Sequence, residues 1–268
     1  MHKIITTFLI TFTCFSVTGK QADPLPISQC VDEAPYGLPL VSKSDTNTIC
    51  RQGYVLEHDN KAKIPMWVSY TLKPEEAVGC NNRDSAFSSD KSIPVGKRSE
   101  EKDYAKSGYD TGHLANDGDF RWSLQAARES FILSNMVPQL PGFNRGIWKR
   151  LEDQTRGWAI SRKHELLIYV GPIYDRKQDQ TIGKGTVTVP HSFYKIIVDT
   201  TTNEAMIFIL PHESSNEDLE TFMSSLAEVQ KETGIVFPMP KDVKIADEPW
   251  KVVMKTAVKS KRSICSVK

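Results

Sequence analysis

Apolar runs alternate with polar connections along this chain, and the runs follow two different periods. Tyr54-Val55-Leu56 and Met66-Trp67-Val68-Ser69-Tyr70-Thr71-Leu72 read as strands joined by the polar stretch His58-Asp59-Asn60-Lys61-Ala62-Lys63. Leu166-Leu167-Ile168-Tyr169-Val170 reads as a buried strand that stops at Gly171-Pro172. Val187–Val189, Tyr194–Val198 and Met206–Leu210 follow in the same style, and Phe131-Ile132-Leu133 is a shorter run ending at Ser134-Asn135. Two segments carry helical spacing instead. Over 145–161, Ile147, Leu151, Thr155 and Trp158 recur at three- to four-residue intervals behind Asn144, a good N-cap residue. Leu219–Thr233 is a second amphipathic helix. Strands and helices interleave without regular βαβ spacing. The pattern predicts an α+β fold, a central and largely antiparallel sheet flanked by helices, in one domain. Residues 82–108 form a polar connection too long to be idle in a compact domain.

The amino terminus follows neither period. Lys3 precedes an uncharged stretch, Ile4–Val17, and Val17-Thr18-Gly19 offers residues a signal peptidase accepts. The stretch is shorter than the ~20 residues a membrane-spanning helix needs. Residues 1–19 are therefore expected to be a signal peptide, with cleavage as far along as 22. An uncleaved anchor is the competing reading. Residues 20–49, rich in Pro, Ser, Asp and Gly, are expected to be an extended leader, and 50–268 a single domain. Export agrees with the cysteines. Cys14 lies in the signal, and Cys30, Cys50, Cys80 and Cys265 remain. An even number in an exported chain suggests two disulfides. Of three possible pairings, Cys30–Cys50 closes a short loop and leaves Cys80–Cys265. No Cys-x-x-Cys spacing supports zinc. The expected location is secreted or periplasmic, with no membrane partner once the signal is removed.

Composition narrows the function by exclusion. At 268 residues, 39% hydrophobic and 25% charged, the chain has ordinary globular usage. No repeat is visible, which excludes solenoids and propellers. Lys plus Arg number 34 and Asp plus Glu 33, so no global basic field exists. A local one does: residues 144–164 hold Arg145, Lys149, Arg150, Arg156, Arg162 and Lys163 against Glu152 and Asp153. That excess suits a polyanion, and equally a solvated helix face.

Two segments carry chemistry: Gly108-Tyr109-Asp110-Thr111-Gly112-His113-Leu114-Ala115, and Leu133-Ser134-Asn135-Met136-Val137-Pro138-Gln139 running on to Phe143-Asn144-Arg145-Gly146-Ile147-Trp148-Lys149-Arg150-Leu151-Glu152. Phosphodiester hydrolysis needs a base near neutral pH, a hard divalent cation with oxygen ligands, and cations to grip phosphate. His113 can be the base and the Asn144 side-chain oxygen a metal ligand. Glu152, eight residues on, lies about 80° round a helix and reaches the same site, with Arg156 one turn beyond. Each has a plainer reading: a packed loop histidine, a helix cap, an i,i+4 surface ion pair. Trp148 is most simply core.

Taken together, these segments resemble the DNA/RNA non-specific endonuclease family of ββα-metal (His-Me finger) nucleases. The family pattern is Asp-Arg-Gly-His, then Ser-Asn-x-x-Pro-Gln, then Asn-x-Gly-x-Trp-x-x-Leu-Glu. The second and third match fully and the first in three of four positions. Weaker agreement surrounds them at Pro65–Val68, Arg83 with Phe87, Gly171–Tyr174 and Val189-Pro190, so the resemblance spans roughly residues 50–240. It implies an endonuclease that cleaves DNA and RNA, double- or single-stranded, leaving 5′-phosphate and 3′-hydroxyl ends. His113 would be the general base and Asn144 the sole direct protein ligand of one Mg²⁺, with Mn²⁺ able to substitute. Glu152 would hold water of the hydrated ion, Asn135 would position the surroundings of His113, and Arg156 would stabilise charge on the phosphorane. Arg83 would contact phosphate, and Arg145 and Lys149 of the basic cluster join it as substrate contacts. The partners implied are DNA and RNA, gripped through the backbone.

One position departs. The family arginine before Gly-His is Thr111, and a neutral hydroxyl does not replace a planar bidentate cation. Lys106 or Arg121 are candidates to supply the charge. Thr111 also creates Asp110-Thr111-Gly112, an aspartic-protease triplet, although no second triplet exists in the chain to share its proton. A weak or dead nuclease fold that only binds nucleic acid is the other alternative.

Overall fold

The computed structural model describes residues 21–82, 86–184 and 186–251. Its frame is a seven-stranded sheet among the described residues. The strands are β1 (Thr46–Arg51), β2 (Tyr54–Asp59), β3 (Ile64–Leu72), β6 (Leu166–Ile173), β7 (Ser192–Asp199), β8 (Glu204–Pro211) and β9 (Lys244–Ile245). Two further strands, β4 (Asp110–His113) and β5 (Met136–Gln139), form a separate antiparallel ribbon. The sheet order is β9-β8-β7-β6-β3-β2-β1, antiparallel at every pairing except the terminal β8–β9.

Both faces of the sheet are covered. Every residue of β3 and β6 is buried, which is why these two strands read as nearly unbroken apolar runs. Successive side chains point to opposite faces, and the two faces build two cores. Phe193 and Ile197 of β7 join the core that contains Ala126 of the short helix α1 (Leu124–Glu129), Trp148, and Leu151 and Trp158 of the helix α2 (Lys149–Arg162). Tyr194, Ile196 and Val198 join the opposite core, which holds Cys30, Cys50 and Val229 of the helix α3 (Leu226–Thr233). Among the described residues no helix is long and apolar enough to cross a membrane.

The α+β class and the antiparallel sheet agree with the pattern of apolar runs. The boundaries differ in three places. The first strand of the sheet begins at Thr46, inside the segment expected to be leader, and Leu25 bridges to Cys50 on it. The second amphipathic segment is divided: Leu219–Phe222 is a 3₁₀ turn, and α3 starts at Leu226 because the Ser225 hydroxyl accepts from the Glu228 N–H. Most consequential, the helix expected from 145 begins at Lys149. Phe143–Trp148 is a wide π-type turn broken at Gly146 (φ −104°, ψ −112°), and Asn144 makes no cap there.

The Cys30–Cys50 disulfide is present, with a Cα–Cα separation of 5.9 Å. The second expected pairing involves Cys265, which lies outside the described residues, as do the expected signal segment 1–19 and Arg83. The connection 82–108 is anchored through Asp90. That carboxylate is fully buried, receives Arg51 Nη2 at 2.9 Å on both oxygens and Ser134 Oγ at 2.6 Å, and so ties the connection to β1 and to the Ser134-Asn135 motif.

Candidate active site

The three sequence motifs meet in one ββα unit. The Asp110–His113 motif is β4, the Met136–Gln139 end of the second motif is β5, and the third runs through the broken turn into α2. In the ribbon His113 pairs with Met136 and Gly112 with Val137. Gly112 is required by close approach, since a Cβ there would collide with the Gln139 carboxamide. Beyond the ribbon, Asn135 fixes the backbone that follows His113. Its Oδ1 accepts from the Ala115 N–H (2.9 Å), and its Nδ2 donates to the Ala115 and Ser130 carbonyls (2.9 and 2.8 Å). Asn135 is fully buried and does not line the cavity described next.

A cavity of about 370 Å³ opens between the ribbon and α2, lined by His113, Asn144, Glu152 and Arg156 together with Thr111, Arg145 and Lys149. His113 sits at its edge with 8% exposure, its ring held edge-on against Phe131 at 4.6 Å. Asn144 Nδ2 donates to Asp110 Oδ2 (2.9 Å), which leaves Oδ1 as the remaining polar atom of that side chain. The break at Gly146 releases Asn144 from helix-capping geometry and makes this contact with β4 available. Thr111, Arg121 and Asp117 line the same cavity, but Arg121 is bound to Asp117 Oδ2 (2.6 Å). Lys106 does not line it. Arg145 does, and both its Nε and Nη2 donate to Asp110 (2.8 and 2.6 Å) while its side chain stays 72% exposed. Lys149 is exposed at the rim, paired with Asp153.

Electrostatics divide the cavity into an exposed cationic rim and a buried floor. Burial pushes the Glu152 carboxyl up to about 7, although Lys195 and Arg156 pull it back down. Arg156 Nη1 reaches Asp119 Oδ1 (2.7 Å) and Asn116 Oδ1 (2.9 Å), and its Nη2 contacts Asp153. Gly118 lets that guanidinium approach, because a Cβ would come 2.8 Å from Nη1. Asp119 is itself buried and also accepts from Tyr70 (2.8 Å). Burial raises the Asp110 carboxyl, but the hydrogen bonds from Arg145 and Asn144 outweigh it and hold it below the usual carboxylate range. A carboxylate so engaged does not share a proton with a second aspartate, which removes the protease reading.

The donor set suits a hard, heavily hydrated cation. Asn144 offers a neutral oxygen, Glu152 lies across the cavity, and Asp117 Oδ1 is buried without a hydrogen-bond partner among the described residues. No group of three His, Cys, Asp or Glu side chains among the described residues forms a complete cage, so zinc-type coordination is not offered. Sequence reasoning did not find Asn116, Asp117, Asp119, Tyr70 or Lys195. Only Lys195 left a signal, as a charge inside the apolar run Phe193–Val198.

A two-stranded ribbon that carries a histidine, followed by a helix that carries a carboxylate, all opening on one polar cavity, defines a ββα-type nuclease. The chain belongs to the DNA/RNA non-specific endonuclease family, whose profile it matches over residues 37–244. Mitochondrial endonuclease G of Bos taurus is 31% identical over 220 residues, covering 76% of this chain and 72% of that protein. The mitochondrial nuclease of Saccharomyces cerevisiae is 33% identical over 210 residues, covering 69% and 63%. The crystal structure of an EndoG/EndoGI complex matches with a TM-score of 0.73 at 29% identity, covering 84% of this chain and 97% of that one. The chain is accordingly a nuclease, a hydrolase of a family that depends on divalent metal.

These relatives correct one expectation. The secreted or periplasmic location, read from the apolar run at 4–17 and from the cysteines, is overturned: the relatives named above are mitochondrial.

Proposed function

We propose that the chain hydrolyses DNA and RNA phosphodiesters with His113 as general base and one divalent cation, Mg²⁺ or Mn²⁺ in its place, held through Asn144. The products carry 5′-phosphate and 3′-hydroxyl ends. The observation that supports this reading is that His113, Asn144, Glu152 and Arg156 line the same cavity. His113 accepts the proton of the attacking water, and its ring is oriented by Phe131 and by the backbone that Asn135 pins. A bound divalent cation supplies charge neutralisation at the phosphate and leaving oxygen. Asp110 orients the Asn144 amide, whose oxygen would hold the ion, and Glu152 would accept hydrogen bonds from water around it. Arg156, preorganised by Asn116 and Asp119, faces the charge that develops on phosphorus. Arg145 and Lys149 at the rim hold backbone phosphate, and Arg83 joins them as a contact proposed from sequence alone. Grip on the backbone rather than the bases accounts for indifference to sugar and sequence.

In-gel digestion of DNA and RNA with and without chelator tests the proposal. EDTA should abolish cleavage and added Mg²⁺ restore it. Cleavage undiminished in chelator would contradict the metal, and binding without cleavage in Mg²⁺ would leave only a nucleic-acid-binding fold.

A further inference from the structure

Lys195 sits in the middle of β7, paired with Val170 and Phe208 on the neighbouring strands, and has no exposed surface. The alternation of the strand places it with Phe193 and Ile197, in the core under α2, in a slot its neighbours fill with apolar side chains. Its ammonium has no hydrogen-bond acceptor among the described residues. Its neighbours are the Trp148 ring, 5.5 Å from Nζ, and the charges of Glu152, Asp119 and Arg156. Trp148 immediately precedes α2, and Glu152 lies four residues on, in the first turn of that helix. Burying an ammonium without acceptors is costly, and an apolar residue would fill the slot without that penalty. A fold alone gives no reason for a lysine there, whereas the charge balance does: Glu152 and Asp119 are buried, and Arg156 is the other cation among them.

Building on the proposed nuclease mechanism, we propose that Lys195 is a positioning residue for cleavage, its buried ammonium offsetting the charge of the buried Glu152 carboxylate from beneath the cavity that Glu152 lines. Lys195 does not line that cavity, so it acts through Glu152 and not on substrate. Burial disfavours its charged form, and the two nearby carboxylates offset part of that effect. Replacement by methionine, of similar length and apolar, removes the charge while keeping the slot filled.

The test is a double-mutant cycle of Lys195→Met with Glu152→Gln, read as kcat and KM on DNA in Mg²⁺ and as thermal midpoint in chelator. His113→Ala serves as the control for the underlying nuclease reading. Lys195→Met should lower kcat about 10–100-fold with KM little changed. It should add little further loss once Glu152 is glutamine, and its midpoint should be equal to or above that of the wild type. Equal losses of kcat in both backgrounds, or a lowered midpoint that accounts for the lost activity, would show Lys195 to be merely structural. Were all variants inactive along with the wild type, the nuclease reading would fail instead, and additive shifts of the midpoint would then overturn the Lys195–Glu152 coupling independently. If Lys195→Met does not fold, Lys195→Gln carries the same comparison.

Discussion

Asp110 and Arg145 form a two-point ion pair, with Nε 2.8 Å from Oδ2 and Nη2 2.6 Å from Oδ1, next to Thr111 on the cavity wall. The family pattern carries a cation at position 111, and here the cation stands across the cleft at 145, held by the residue before the threonine. Asp110 thereby serves two ends, since it also accepts from Asn144. Lys106 does not line the cavity, and Arg121, which lines it, is 28% exposed against 72% for Arg145.

From this pair it follows that Arg145→Ala weakens DNA binding uniformly across sequences. The slope of log affinity against log salt should fall by about 1, the signature of one lost phosphate contact. Thr111→Arg in the Arg145→Ala background should recover the slope. A slope unaffected by Arg145→Ala would place the phosphate contact elsewhere.

Glu152 makes stability depend on pH in a specific direction. Its folded-state value, about 7, lies above the ordinary carboxylate value of 4.5. The stabilisation tied to its protonated form is complete below about 4.5 and is lost as pH rises through about 7. Glu152→Gln imitates the protonated form at every pH. In chelator, the variant's thermal midpoint should therefore gain on the wild type as pH rises from 5 to 8. A constant difference across that range would mean that Glu152 is not perturbed. Activity should move the opposite way, falling below about pH 7 as the carboxylate takes up its proton.

The Cys30–Cys50 bridge fastens the amino-terminal segment to β1. Replacing both cysteines by serine should cost about 2–4 kcal/mol, the range for closing a loop of this size. Activity at low temperature should persist, because the bridge lies in the core opposite α2. Loss of activity without loss of stability would contradict that placement.

Much of this arrangement was legible in the sequence, and the remainder failed for identifiable reasons. Apolar runs located the interior strands because β3 and β6 are covered on both faces and tolerate little else. The motif residues His113, Asn144, Glu152 and Arg156 were each assigned to one site, and the fold brings all four to one cavity. Helical periodicity did not reveal the break at Gly146, because Ile147, Leu151, Thr155 and Trp158 all lie beyond it and keep helical spacing among themselves. The floor residues escaped for a different reason. Asp119 and Lys195 meet Arg156 and Glu152 only through long-range packing, and nothing local distinguishes a buried aspartate from a surface one. The compartment was misread because its sole indicators were an apolar run and an even number of cysteines.

If His113 performs the proton transfer while other groups hold the nucleic acid, its loss must separate turnover from binding. The direct measurement is kcat of His113→Ala beside its DNA affinity, with His164→Ala and His191→Ala as controls, since those rings are occupied by Asp199 and Asp179 away from the cavity. His113→Ala should lose about 10²–10⁴-fold in kcat while its affinity for DNA is unchanged and both controls stay active. Near wild-type cleavage by His113→Ala, with either control inactive, would contradict that role.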